Sequence, residues 1–299
     1  FPKKVAVVGA GPAGMACATT AAERGHDVTL FDAADRIGGQ FNIAKQIPGK
    51  EDFNETLRYF GKRIETTGVK LRLNTRAEAA ALKADGFDHV VLATGISPRK
   101  PAIPGIESDK VATYLDIIEG RKVAGKSVAI IGAGGIGFDV GEFLTHSHDE
   151  RSEAERFNSE WGIDPTYASR GGLKPAVDEK APRKVYLLQR KESKVGDGLA
   201  KTTGWIRRTL LKKRGVTMIP GVSYERIDEA GLHITVGGEA KTLPVDTIVV
   251  CAGQESRREL KAPLEAAGIP VTLIGGADVA AELDAKRAID QGTRVAAAL

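Results

Sequence analysis

Two glycine-rich turns carry the residue types and the spacing that bind phosphates. Each follows an apolar run with the pattern G-x-G-x-x-G: Gly9, Gly11 and Gly14 in the first turn, and Gly132, Gly134 and Gly137 in the second. The first glycine of such a pattern allows a tight turn, the second lets the backbone approach a pyrophosphate, and the third lets a helix pack against the strand. The amides at the start of that helix then bind the phosphates. Each turn therefore predicts a dinucleotide site. The alternative is a glycine turn that only lets the helix pack against the strand. The intervening residues belong to the predicted sites: Pro12 and Ala13, and Gly135 and Ile136.

The residue after the next strand distinguishes the two sites. Asp32 ends the second strand, where its carboxylate can accept hydrogen bonds from an adenosine ribose. The matching segment VYLLQRK has no acid there and carries Arg190 and Lys191 instead, with Lys194 close by. A carboxylate would repel a 2′-phosphate, whereas a guanidinium binds it with two hydrogen bonds, so the second site predicts NADP rather than NAD. The alternative is an ordinary solvated strand end.

Two dinucleotide sites in one chain indicate an electron path, in which a nicotinamide delivers hydride and a flavin accepts it. The loop with Gly39 and Gln40 would let the chain pass under a flavin, and Asp278 would bind its ribityl chain. Strand-ending residues lie at the sheet edge where ligands collect: Thr94 and Gly95 are predicted for the flavin site, and Gly253 for the NADPH site. A plain turn, ordinary strand ends and a helix N-cap at Asp278 are the alternatives. Residues 201–205 would cover the nicotinamide or cap the following helix.

An internal repeat organises the elements around these residues. KVAVVGAGPAG aligns with SVAIIGAGGIG, and FDHVVLATGISPR aligns with VDTIVVCAGQESR at a larger offset. The difference in offset locates an insertion at about 146–183, in which we expect one short helix near 153–161.

Short β-branched runs alternate with helical stretches, which predicts an α/β fold with parallel sheets. The predicted strands are 5–8, 28–31, 90–93, 128–131, 185–188 and 248–251, and the predicted helices are 13–24, 51–66, 136–145 and 203–213. The last segment has no counterpart in the second repeat, so we expect it to return to the first. This predicts two nested Rossmann-like dinucleotide-binding domains: an FAD domain of residues 1–114 and 268–299, and an NADPH domain of residues 115–267 inserted into it.

Composition bounds the function classes. The 299 residues include 43 basic and 39 acidic side chains without a block of like charge, so we expect no nucleic-acid partner. Two cysteines, Cys17 and Cys251, cannot form a disulfide framework or a C-x-x-C pair, which fits a reducing, cytoplasmic setting and excludes dithiol chemistry. His146 and His148 have no cysteine nearby, so we expect no metal site.

The uncharged run 5–22 is better explained by a strand, a turn and a helix than by a membrane span, because it holds glycines, a proline and threonines. We therefore expect no membrane association. Phe1 in place of an initiator Met indicates a processed or excised piece of a longer chain.

Several segments resemble the C-terminal half of bacterial NADPH-dependent 2,4-dienoyl-CoA reductases, a family related to trimethylamine dehydrogenase. They are GAGPAGM, LATGISPR, AIIGAGGIGFDVGEFL, LLQRKESKVGDGLAKTTGWIRR and LIGGADVAAELDAKRAIDQGTR. The resemblance covers almost the whole chain. It implies FAD at the first site, with Gln40, Gly95 and Asp278 among its residues, and NADPH at the second.

The resemblance also implies a partner. In that family an N-terminal barrel half holds FMN, an iron–sulfur cluster and the acyl-CoA site, and electrons run from NADPH through FAD to these centres. This chain has no barrel and no cysteine cluster, so it is expected to be the NADPH-oxidising flavoprotein module of an enzyme for the β-oxidation of unsaturated fatty acids, without dienoyl-CoA reduction of its own. A non-catalytic nucleotide-binding scaffold is the alternative. No side chain is assigned as catalytic acid or base.

Overall fold

The computed structural model describes residues 1–147, 150–281 and 284–299, and divides into two compact units. Unit 1 comprises Phe1–Arg99 and Gly253–Leu299, and unit 2, Lys100–Ala252, is inserted into it. The crossings lie earlier than the predicted 114/115 and 267/268. The strand at Val111–Thr113 pairs inside unit 2, and Leu264 in the helix Lys261–Ala266 belongs to the core of unit 1, which accounts for both differences.

The elements follow the predicted alternation. Those before the first crossing are β1 Lys4–Val8, α1 Pro12–Glu23, β2 Asp27–Phe31, α2 Phe41–Ala44, α3 Phe53–Thr67, β3 Lys70–Arg72, α4 Ala79–Ala84, β4 His89–Leu92 and β5 Ile96–Pro98. Unit 2 contains β6 Val111–Thr113, α5 Tyr114–Ile118, β7 Ser127–Ile131, α6 Gly135–Thr145, α7 Glu153–Trp161, β8 Lys184–Leu188, α8 Gly204–Lys213, β9 Thr217–Ile219, β10 Val222–Asp228, β11 Gly231–Val236, β12 Glu239–Leu243 and β13 Thr247–Val250. The final part adds β14 Gln254–Ser256, α9 Lys261–Ala266, β15 Val271–Leu273, a 3₁₀ turn Gly275–Ala277 and α10 Ala285–Ala298.

Unit 1 is built on a five-stranded sheet in the order β15-β4-β1-β2-β3, in which every pairing is parallel. Its central strand β1 is buried on both faces, which accounts for its run of valines and alanine. Helix α1 is composed of small residues because α10 crosses it closely: a Cβ atom at Gly292 would lie 2.3 Å from the carbonyl oxygen of Ala13. The final segment therefore completes unit 1, as the nested arrangement requires.

Unit 2 repeats this sheet in the order β6-β13-β7-β8-β9, again with parallel pairings. The predicted strands and helices are present in both units, with bounds shifted by at most two residues. The antiparallel sheet β10-β11-β12 was not predicted, and it contributes Val222, Ile227 and Leu232 to the core.

The predicted insertion helix is α7. It is fixed to α8 by the buried carboxylate of Glu160, which accepts hydrogen bonds of 2.9 and 3.1 Å from the guanidinium of Arg214 at the end of α8. Among the described helices, none is long and apolar enough to cross a membrane.

Candidate functional sites

The first glycine turn leaves no room for side chains at two of its positions. Gly9 has a φ of +109°, and a Cβ atom there would lie 2.3 Å from the carbonyl oxygen of Ala93. A Cβ atom at Gly14 would lie 1.8 Å from the carbonyl oxygen of Gly9. The Gly9 amide donates to the carbonyl of Phe31 at 2.8 Å, which joins the turn to the end of β2. Both positions therefore require glycine for steric reasons.

The second turn has the same construction. Gly132 has a φ of +108°, and a Cβ atom there would lie 2.4 Å from the carbonyl oxygen of Cys251. A Cβ atom at Gly137 would lie 1.9 Å from the carbonyl oxygen of Gly132. The Gly132 amide donates to the carbonyl of Leu188 at 3.0 Å, at the end of β8. The repeat in the sequence is thus a repeat of backbone geometry.

Both turns keep the amino end of the following helix open. Gly11 and Gly134 are the N-cap residues, and within the described residues no side chain caps α1 or α6 and no acid lies in either first turn. A Cβ atom at Gly134 or Gly135 would have no atom within 4 Å, apart from the residue's own neighbours. Uncapped amides and the helix dipole favour an anion. The open space at these glycines fits a pyrophosphate, and Pro12 in α1 removes no intrahelical hydrogen bond.

Asp32 lies beside the first turn with both carboxylate oxygens oriented by the backbone. Oδ2 accepts from the Ala10 amide at 2.7 Å, and Oδ1 accepts from the Ala34 amide at 2.8 Å. A carboxylate offers about four lone-pair sites, so each oxygen can still accept a hydroxyl. This donor set fits the two hydroxyls of an adenosine ribose.

The loop after Asp32 crosses close to the first turn. Gly39 has a φ of +51°, and a Cβ atom there would lie 2.9 Å from the Cα atom of Gly11. The Gly38 amide donates to the carbonyl of Ala10 at 2.8 Å, and Gln40 then leads into α2. Gly39 and Gln40 are therefore brought to the same turn as Gly11, as a site for one dinucleotide requires.

Asp278 is positioned by two side chains that the sequence analysis missed. Gln291 of α10 donates to Oδ2 of Asp278 at 2.7 Å and accepts from the Gly275 amide at 2.8 Å. Arg258 donates to the carbonyls of Ala277 and Asp278. Asp278 is not the N-cap of α10, which is Asp284. Gln291 is on a different element from Asp278, and no local sequence pattern indicates that the two side chains meet, so only the fold reveals this contact.

Thr94, Gly95 and Gly253 lie where the chain crosses between its units. The Arg257 amide donates to the Gly95 carbonyl and the Arg99 amide donates to the Gly253 carbonyl, both at 3.0 Å, on either side of the β5–β14 pair. Gly253 was predicted for the NADPH site but belongs to unit 1. A Cβ atom at Gly253 would lie 2.2 Å from the guanidinium of Arg99, so a side chain there would displace Arg99. The Thr94 hydroxyl donates to the Arg257 carbonyl.

Gln189 occupies in unit 2 the position that Asp32 has in unit 1. The Asp32 amide donates to the Arg72 carbonyl at 2.9 Å, and the Gln189 amide donates to the Ile219 carbonyl at 3.0 Å. Arg190 and Lys191 then stand where unit 1 has two alanines, Ala33 and Ala34. At equivalent positions, unit 1 thus has an acid followed by two small residues, and unit 2 has an amide followed by two cations.

The side chains of Arg190 and Lys191 are exposed, and within the described residues neither makes a hydrogen bond or an ion pair. Burial raises the pKa of the Tyr224 hydroxyl, and the positive charge of Arg190 lowers it by a smaller amount. Two cations that pair with no acid among the described residues, shortly after the strand whose end is joined to the second glycine turn, fit a second anionic group on a dinucleotide.

The two cysteines belong to different units and are both buried. Cys17 is on α1 in unit 1 and Cys251 follows β13 in unit 2. Burial raises the pKa of the Cys17 thiol to about 12, and burial followed by the charge of Asp139 raises the pKa of Cys251. Since the thiolate is the nucleophile, neither cysteine supports thiol exchange.

We expect both thiols of the folded chain to resist an aromatic disulfide reagent at pH 8, because less than about one thiol in a thousand would be ionised at a pKa near 12. Both should react after unfolding in guanidinium. Labelling of either cysteine in the native chain at the rate of a free thiol would contradict this expectation.

No group of His, Cys, Asp and Glu residues in the described ranges has the arrangement of a metal site. His146 is buried, with Nε2 at 3.4 Å from a carboxylate oxygen of Glu153, and His148 lies outside the described residues.

In the segment of residues 201–205, α8 begins at Gly204 with Thr203 as its N-cap residue. The Thr203 side chain makes no capping hydrogen bond, and Trp205 is exposed.

Alanine at Gly134 offers a test of the open turn. A Cβ atom there meets nothing, and its φ of −80° suits any residue, so Gly134→Ala should leave the free energy of unfolding unchanged. It should still weaken NADPH and NADH equally, by about tenfold, because the methyl group would occupy the path of the shared pyrophosphate. Titration of both coenzymes measures this. Unchanged affinity for both would place the pyrophosphate elsewhere.

Comparison with known proteins agrees with this geometry. The family model described as pyridine nucleotide-disulphide oxidoreductase matches residues 3–288. A metal reductase of Desulforamulus reducens is 30% identical over 288 residues, which cover 92% of this chain and 41% of that protein. An NADH oxidase of Thermoanaerobacter brockii is 30% identical over 282 residues, which cover 92% of this chain and 38% of that protein. This chain therefore spans about two fifths of the length of these relatives.

Solved structures show the same relation. A 2-naphthoyl-CoA reductase in complex with 2-naphthoyl-CoA matches with a TM-score of 0.82 and 29% identity, over 100% of this chain and 40% of that chain. A thioredoxin reductase of T. acidophilum matches with a TM-score of 0.65 and 17% identity, over 100% of this chain and 97% of that chain. The second likeness shows the fold alone.

Proposed function

The chain belongs to the pyridine nucleotide-disulphide oxidoreductase family, and within it we propose an FAD-dependent module that oxidises NADPH and passes the electrons to further redox centres. The observation that carries this proposal is the duplicated turn with different neighbours: Asp32 beside the first, and Arg190 with Lys191 beside the second. The first set suits an unmodified ribose and the second suits a 2′-phosphate.

Unit 1 would hold FAD. The amides at the start of α1 and the glycines of the turn would bind the diphosphate, and Asp32 would accept hydrogen bonds from the ribose. Asp278, held by Gln291 and Arg258, would present its remaining carboxylate lone pairs to the ribityl chain. When bound, FAD accepts a hydride from the nicotinamide ring and can release the electrons singly.

Unit 2 would hold NADPH on the second turn, with the 2′-phosphate on the cations after β8. The residues of this chain would bind and orient the coenzyme, since hydride transfer to a flavin requires no side chain as acid or base. Despite the family's name, disulfide reduction does not fit this chain, because its two cysteines are buried in different units.

We further propose that the electrons leave for centres on a longer protein that reduces a CoA thioester. The similarity to a 2-naphthoyl-CoA reductase of more than twice this length supports that substrate class, and the sequence resemblance favours a 2,4-dienoyl-CoA in fatty-acid oxidation, with an FMN and iron–sulfur half as partner. In such a full-length protein, NADPH oxidation should consume 2,4-dienoyl-CoA with one-to-one stoichiometry. NADPH oxidation without loss of the thioester would exclude this substrate.

The second candidate is a nucleotide-binding scaffold without turnover. It is favoured by the turn at Gly9, which would bind FAD or ADP for assembly whether or not electrons flow. Against it stand the two cations after β8, because a scaffold has no use for a 2′-phosphate site. The discriminating experiment measures bound flavin per purified chain, then the dissociation constants of NADPH and NADH. We expect one FAD and clear preference for NADPH; flavin retention with no coenzyme binding would favour the scaffold.

A further inference from the structure

Gln189 differs from Asp32 in where its side chain is directed, although both residues directly follow a strand of a parallel sheet. The Asp32 carboxylate accepts from the amide of Ala10 in the glycine turn. The Gln189 amide group instead bonds the loop that follows it. Nε2 donates to the carbonyl of Lys191 at 3.1 Å and to that of Ser193 at 2.8 Å, with a longer contact of 3.5 Å to the Ser193 hydroxyl. Oε1 accepts from the Gly196 amide at 3.3 Å.

The backbone partners specify an amide at this position. The carbonyl oxygens of Lys191 and Ser193 need a donor, and the N–H group of Gly196 needs an acceptor. A carboxylate cannot donate, and a methylene chain can do neither. Glutamine carries an NH2 donor and a carbonyl acceptor on separate atoms at the end of a long side chain, so it can serve both kinds of partner at once, and asparagine is one methylene shorter. The side chain therefore holds residues 191–196 as a closed loop.

That loop carries the cations of the proposed coenzyme site. Arg190, Lys191 and Lys194 are exposed, and in the described part of the chain their side chains make no ion pair. Glu192 is the acid of this segment, and its Cγ atom packs 3.5 Å from the place of a Cβ atom on Gly221. Within the described residues the buried hydroxyl of Tyr224 makes no hydrogen bond, and the charge of Arg190 opposes the effect of burial on its pKa. Gln189 thus fixes the backbone that carries these cations, shortly after β8.

We propose that Gln189 is a positioning residue for NADPH: its amide shapes the 190–196 loop into a 2′-phosphate site, and its neutrality removes the repulsion that an acid at this position would exert. The inference rests on the proposed function, since it specifies how unit 2 selects its coenzyme. Gln189 acts through the loop and need not touch the coenzyme.

Two substitutions separate shape from charge. Gln189→Met keeps the length and neutrality but removes the hydrogen bonds of the side chain, and we expect it to weaken NADPH binding about tenfold while NADH binding changes less than about twofold. Gln189→Glu keeps an acceptor and adds a charge, and we expect it to weaken NADPH about a hundredfold and reverse the coenzyme preference. In Gln189→Met, the NADPH dissociation constant should also depend less on salt, because fewer cations would converge on the phosphate.

The measurements are titrations of the full chain with NADPH and NADH, together with unfolding followed by tryptophan fluorescence. A merely structural role would weaken both coenzymes equally in Gln189→Met. An unchanged ratio of the two dissociation constants in Gln189→Met would therefore overturn the inference. The proposed function would still stand if Arg190→Ala/Lys191→Ala lost affinity for NADPH selectively. If the Arg190→Ala/Lys191→Ala variant also showed no selectivity, the 2′-phosphate site itself would be wrong.

Discussion

Replacing Arg190 and Lys191 together with alanine should weaken NADPH binding by about ten- to a hundredfold and leave NADH within about twofold. Hydrogen bonds to charged groups contribute about 1.5–3 kcal/mol when shielded, and we take about half of that for each exposed side chain here. Tenfold in affinity corresponds to about 1.4 kcal/mol. Because the two coenzymes differ only in the 2′-phosphate, the difference isolates that group.

A charge-matched control is available in the same unit. Arg170 and Lys174 are exposed cations of the insertion, so Arg170→Ala/Lys174→Ala removes the same net charge. We expect this control to leave both dissociation constants near their wild-type values. An equal loss of NADPH affinity in both double variants would mean that net charge, and not a site after β8, attracts the coenzyme.

Gly137→Ala should destabilise unit 2 by more than about 3 kcal/mol, because its Cβ atom would lie 1.9 Å from the carbonyl oxygen of Gly132. Alanine gains about 1 kcal/mol in helix propensity over glycine, so the steric cost prevails. The backbone of Gly132 cannot move aside without breaking the contact between β7 and α6. The turn should be lost together with coenzyme binding.

Fluorescence can report this effect for unit 2 alone, since both tryptophans of the chain, Trp161 and Trp205, lie in that unit. The matched control is Gly135→Ala in the same helix, whose Cβ atom would have no neighbour within 4 Å. Its unfolding midpoint in urea should stay near that of the wild type. Equal midpoints for Gly135→Ala and Gly137→Ala would refute the steric account of the turn.

The glycine turns and their strands could be predicted because their signals are local. Gly9 and Gly132 adopt a positive φ, for which glycine is the sequence signal. An apolar strand precedes each of them directly and a helix follows, so the whole pattern lies in one continuous stretch of sequence. The same holds for α7, whose capping box at Ser152 and Glu155 marks its start. Asp32 and Arg190 were found because each stands directly after its strand.

The elements that escaped prediction depend on distant partners. Strands β10 to β12 carry many polar and charged residues and are partly exposed, and Leu232 is buried only because the β10–β12 sheet packs on the parallel sheet. Gln291, which donates a hydrogen bond to Asp278, lies 13 residues further along the chain, in α10. Gln189 was passed over because its side-chain hydrogen bonds follow from the path of a loop. The first domain crossing was placed late because β6 pairs with β13, far along the chain, and the second because Leu264 packs in the core of unit 1.

The central claim is that this chain oxidises NADPH through a bound flavin, and anaerobic reduction tests it most directly. The purified chain, reconstituted with FAD where needed, would be mixed with NADPH or NADH without oxygen while its flavin absorbance is followed. The account predicts that NADPH bleaches the flavin at least about tenfold faster than NADH at equal, subsaturating concentration. Equal bleaching by both coenzymes, or a flavin that neither reduces, would contradict it.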